Sequence, residues 1–122
     1  MPAHKFIKRI FEKGEQMNFD EIASNLGLDK EDLDELLDIF ISTSFSDIEK
    51  INLGLAENNT DNVSRAAHSI KGASGNLGFQ TIASLAKDIE MAAKTGDTQG
   101  LKEKADIIFE ELKKIEKAIK TD

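Results

Sequence analysis

The sequence predicts an all-α protein: an antiparallel four-helix bundle with one or two short extra helices at its N-terminus. Three observations predict it. The single proline is at position 2 and runs of β-branched residues are scarce, so little in the remaining chain breaks a helix or favours a sheet. Apolar residues recur at helical spacing in four long stretches. The segments between those stretches are short and rich in Asn, Asp, Thr and Gly, which suits turns between antiparallel neighbours.

The elements follow in order. Residues 3–14 place Phe6, Ile7, Ile10 and Phe11 on one side of a short basic helix that Gly14 ends. Residues 1–17 are either such a packed helix or the remnant of a linker, and the bundle takes residues 18–122. Residues 19–27 form a second short helix, with Phe19, Ile22, Ala23 and Leu26 inward and Gly27 as the stop. Asp29 then caps the longest element, from Lys30 to about Glu57, whose stripe runs from Leu33 through Leu37, Phe40, Ile41 and Ile48 to Leu55. Asp29, Glu31, Asp32, Asp34, Glu35 and Asp38 cluster near its start. They lack the sharp-turn glycine and alternating oxygen ligands of a calcium loop, and they suit a solvated helix N-terminus.

Asn58-Asn59-Thr60-Asp61 breaks the chain, with Thr60 as the N-cap of a helix running to about Leu77. Gly78 and Phe79 make a tight turn into a helix over residues 80–95, with Ile82, Leu85, Ala86, Ile89 and Ala93 inward. Thr95-Gly96-Asp97 ends it, and a last helix runs from about Thr98 to Lys120 on Leu101, Ala105, Ile108, Leu112, Ile115 and Ile119.

Composition narrows the function. With 39% apolar residues in 122, the chain can build one compact core. A net charge of −7 argues against nucleic acid and anionic membrane surfaces as partners. The absence of cysteine removes disulfides and thiolate metal sites. There is no long apolar run to act as a signal peptide or a membrane span, so a cytoplasmic location is the expectation.

One helix carries a constellation that packing does not explain. In Arg65-Ala66-Ala67-His68-Ser69-Ile70-Lys71-Gly72-Ala73-Ser74-Gly75-Asn76-Leu77-Gly78, the inward stripe is Val63, Ala66, Ala67, Ile70, Ala73, Ser74 and Leu77. His68 lies about 200° around the helix from Ile70, so it faces outward, near Ser64, Lys71, Gly72 and Gly75. A helix-interior glycine costs about 1 kcal/mol relative to alanine. Gly72 and Gly75 bare the surface beside the imidazole and point to close access by a partner. The alternative is a glycine-containing helix packed tightly on a neighbour, with His68 as an ordinary surface residue.

The run His68-Ser-Ile-Lys71-Gly72-Ala-Ser-Gly-Asn-Leu77-Gly78 resembles the signature of histidine phosphotransfer (HPt) domains of two-component phosphorelays. The pattern extends over roughly residues 18–118. The local motif also resembles the phosphoacceptor domain of chemotaxis histidine kinases. The resemblance implies that His68 carries a phosphoryl group, accepted from the phospho-aspartate of a response-regulator receiver domain and passed reversibly to another. The implied partners are receiver domains and a hybrid sensor histidine kinase. Magnesium is expected on the receiver, and the chain itself needs no cofactor or metal. Ser64, Ala67, Gly72 and Gly75 are the candidate receiver-facing residues. A monomer is expected, because the receiver must reach one exposed face.

Two further residues join the candidate site. His68 lies 11 residues before Phe79 and Glu90 lies 11 after it, so an antiparallel hairpin sets them opposite each other. Glu90 can then accept a hydrogen bond from His68 Nδ1, fixing the tautomer that leaves Nε2 to attack phosphorus. The alternative is a surface Glu with no such contact. Lys71, one turn after His68, is placed to offset phosphoryl charge, or to meet a partner carboxylate, or simply to be solvated.

No nucleotide-binding loop accompanies these residues, so the chain is expected to be a phosphocarrier and not a kinase. A metal-hydrolase reading fails on ligand count, since His4 is the only other histidine. A helical adaptor that binds without transfer remains open. So does the excised phosphoacceptor domain of a larger kinase.

Overall fold

The computed structural model describes residues 18–121, so the expected helix over 3–14 lies outside the described residues. The five helices are α1 (Phe19–Leu26), α2 (Lys30–Ala56), α3 (Thr60–Leu77), α4 (Gln80–Lys94) and α5 (Leu101–Thr121). The last four pack as a closed ring, α2 on α3, α3 on α4, α4 on α5 and α5 back on α2, which is an antiparallel four-helix bundle. The short α1 packs on α2 through Phe19 and Ile22.

Local chemistry fixes the helix ends. Asn18 caps α1 by accepting from Glu21 N at 3.0 Å, and Asp29 caps α2 by accepting from Asp32 N at 2.8 Å. The cap of α3 is Asn59 and not the expected Thr60: its Oδ1 accepts from Asn62 N at 3.2 Å, and Thr60 is already the first helical residue. Asn58, in the left-handed region at φ 58°, turns the chain into that cap. The last helix starts three residues later than expected. Asp97 Oδ1 accepts from Gln99 N at 3.0 Å and Gly100 takes φ 77°, so the chain is still turning at Thr98.

The core is continuous from Leu33 on α2 to Ile115 on α5. Of the residues expected inward, Leu26 is a correction at 39% exposed, because the short α1 packs mainly on α2 and its last turn borders an open groove. Ala23, Leu55, Ala73, Leu85 and Ile119 are only partly buried. Two features set the spacing around α3. Gly54 of α2 is buried where α3 crosses, and a methyl group there would stand 2.7 Å from Val63 Cγ2 and 3.0 Å from Asn59 O. Phe79, fully buried in the α3–α4 turn, stacks on Phe40 of α2 at 5.5 Å between ring centres.

Two substitutions test this framework. Gly54→Ala should lower stability by about 1–3 kcal/mol through overpacking. Phe79→Ala should lower it by roughly 3–5 kcal/mol through the cavity it leaves. Urea midpoints of both variants against the wild type check these values.

Candidate functional site

His68 stands on the outer face of α3 with 66% of its side chain exposed. Across the hairpin, α4 presents Glu90, whose side chain is only 5% exposed. The two meet: Nδ1 of His68 lies 2.8 Å from Oε2 of Glu90. The short turn at Gly78–Phe79 produces this register, since the turn leaves neither helix room to slide. Gly78 ends α3 in the left-handed conformation at φ 89°, and the Phe79 N–H returns to Ser74 O at 2.9 Å.

Glu90 is buried as a charge, and a buried charge needs partners. Lys71 Nζ lies 2.7 Å from Oε1, and Lys94 Nζ lies 3.3 Å from Oε2. The hydrogen bond from Lys71 is the main force holding the Glu90 carboxyl at about 2, well below its ordinary 4.5. Burial pushes the other way, and His68 and then Lys94 add to the lowering. An ionised carboxylate is an acceptor only, so the His68 nitrogen facing it must carry the proton. The neutral ring then keeps its lone pair on Nε2, which meets no partner among the described residues.

The glycine strip is open. A Cβ added at Gly72 or Gly75 meets no atom within 4 Å, so neither glycine is required by packing inside the bundle. On the far side of the strip, a groove of about 380 Å³ runs between α1, α2 and α3, walled by Leu26, Leu36, Ile39, Ala73 and Leu77.

The structure thus brings His68 and Lys71 each into direct contact with Glu90 and leaves Gly72 and Gly75 exposed on the same helix. Ser64 and Ala67 are corrections. Ala67 is fully buried and Ser64 is 7% exposed, because both turn into the bundle, so neither forms part of an exposed receiver-facing surface. Lys71 is engaged by Glu90 instead of standing free in solvent. Lys94 was not singled out by the sequence, although its spacing four residues after Glu90 is that of a helical ion pair. Among the described residues, no group of three or more His, Cys, Asp or Glu is arranged to hold a metal, and no helix is long and apolar enough to cross a membrane.

The profile of the Hpt domain matches residues 35–121, most of the chain. The chain belongs to the Hpt domain family. A solved structure agrees: the HPT domain from the Hpt sensor hybrid histidine kinase of Shewanella is 25% identical and superposes with a TM-score of 0.69, covering 86% of this chain and 91% of that one. No curated protein matches the sequence. As a member of the Hpt family, the chain is a phosphotransfer module of two-component phosphorelays.

The buried carboxylate couples the site to stability. Because the folded Hpt domain holds Glu90 at about 2 against an ordinary 4.5, its ionised form stabilises the fold fully above pH 4.5, and this contribution is lost as pH falls towards 2. Wild type should therefore exceed Glu90→Gln in stability above pH 4.5, with the gap closing at lower pH. Urea unfolding of both proteins across that range measures the gap.

Proposed function

We propose that His68 is the phosphoryl acceptor, taking the group from a receiver phospho-aspartate through Nε2 and returning it to another receiver. The observation that carries this reading is the contact between an exposed His68 and the buried, ionised Glu90 at 2.8 Å. In the forward step the Nε2 lone pair forms the N–P bond as the acyl P–O bond breaks, and that electron pair leaves on the aspartate carboxylate. The proton stays on Nδ1, and Glu90 faces the positive charge that develops in the ring. The same contact assists the reverse step, since a ring that keeps its Nδ1 proton is the better leaving group.

Lys71 is one helical turn from His68 and within reach of oxygens on Nε2, where its charge would offset theirs. The open surface at Gly72 and Gly75 supports close approach by a receiver's active-site loops. The neighbouring groove supplies the apolar area that a protein contact uses. Magnesium belongs to the receiver in this scheme. The Hpt domain contributes the nucleophile, its orientation and the landing surface.

The test is intact mass and acid lability of the chain after mixing with a phosphorylated receiver and magnesium. One acid-labile phosphoryl group is expected on wild type and none on His68→Gln. Binding without any gain in mass would favour an adaptor instead. Glu90→Ala should slow transfer while the domain stays folded, and an unchanged rate would remove Glu90 from the mechanism. Gly72→Gln should slow transfer about tenfold or more by crowding the partner, yet unfold no more readily than wild type, because the glycine it replaces is itself a poor helix former.

A further inference from the structure

Glu90 holds one more cation than an orienting carboxylate needs. The two lysines are not equivalent. Lys71 sits alone on Oε1, whereas Lys94 shares Oε2 with His68 Nδ1. Lys71 comes from α3, the helix that carries His68, and can leave Oε1 without disturbing the oxygen that faces the ring. Lys94 comes from α4, one turn after Glu90, on the oxygen that His68 uses.

Counting charges shows why a second lysine matters. With neutral His68, the carboxylate and two ammonium groups sum to +1 before any phosphoryl group arrives. A phosphoryl group brings roughly −1.5 to −2 charges and three acceptor oxygens, which would draw the nearer ammonium. With Lys71 gone and nothing in its place, a carboxylate 5% exposed would be left as an uncompensated buried charge. It would then turn towards water and leave Nδ1. A ring without that acceptor is no longer held in the Nδ1–H tautomer, and a proton on Nε2 removes the attacking lone pair.

We propose that Lys94 is a positioning residue for phosphoryl transfer: it keeps the Glu90 carboxylate seated on His68 Nδ1 while Lys71 turns to the phosphoryl group. This rests on the phosphotransfer reading of His68. Lys94 itself touches neither the ring nor the phosphoryl group and exchanges no proton with them.

Lys71→Gln reproduces the state in which Lys71 has left. The experiment records imidazole ¹⁵N shifts of His68 in the full chain, at a pH where the ring is neutral, with helix content checked by circular dichroism. Lys71→Gln alone should keep the proton on Nδ1. Adding Lys94→Gln should lower the ratio of Nδ1–H to Nε2–H forms about tenfold or more, the worth of a charged hydrogen bond. Lys94→Arg in place of Lys94→Gln should restore it. The second readout is phosphoryl uptake from phosphoramidate, a small donor that needs no partner protein. Lys94→Gln alone should slow uptake about tenfold, and Lys94→Arg should recover it.

If Lys71→Gln and the double variant share one tautomer ratio, Lys94 is a solvated cation and the proposal is overturned. If the ratio shifts as expected but wild-type His68 takes no phosphoryl group, the phosphotransfer reading fails, and the role of Lys94 in transfer goes with it.

Discussion

Glu90 lies between α3 and α4 with its carboxylate withdrawn from water, and the arrangement of the site follows from keeping that charge satisfied. A carboxylate so placed must be met on both oxygens. One oxygen takes Lys71, and the other takes His68 and Lys94. These contacts orient the imidazole and draw the lysines to the same place. Two of them, from His68 and Lys71, also tie α3 to α4 by charge. Remove the carboxylate and the imidazole loses its tautomer, while both lysines return to solvent.

Much of this was legible in the sequence because helical packing imposes a simple period. The stripes from Leu33 to Ile48, from Val63 to Leu77 and from Leu101 to Ile115 gave the long helices, while Gly27 marked the end of the short α1 and Gly78 the end of α3. The opposition of His68 and Glu90 followed from equal distances to Phe79, because antiparallel helices share one rise per residue. Burial at stripe edges was less legible. Ser64 reads as outward from its wheel position and is nearly buried, since α3 is covered on two sides, by α2 and α4. Thr60 and Asn59 are both good caps, and only the turn geometry at Asn58 chooses between them. Gly54 carries no mark in the sequence of how closely Val63 approaches it.

The glycines on α3 and α2 show two opposite uses of the same residue. Gly54 is small because a neighbouring helix occupies the space, and the bundle would have to shift to admit a methyl group. Gly72 and Gly75 are small although the protein itself leaves the space empty. The first is a constraint within the fold. The second is not a constraint within the fold, and the space around each Cα distinguishes the two where the sequence could not.

The two-residue turn between α3 and α4 has a consequence for how such a chain can vary in length. His68 and Glu90 meet because each is counted from the same turn. One residue inserted anywhere between them would rotate the following helix by about 100° and advance it by about 1.5 Å, swinging Glu90 off the imidazole. The loop from Thr95 to Gly100 has no such role, because it joins α4 to α5 beyond both residues. Insertions there would lengthen a surface connection and leave the pair in register. The chain therefore has an inflexible interval, 68–90, followed by a connection, 95–100, that is free to drift in length.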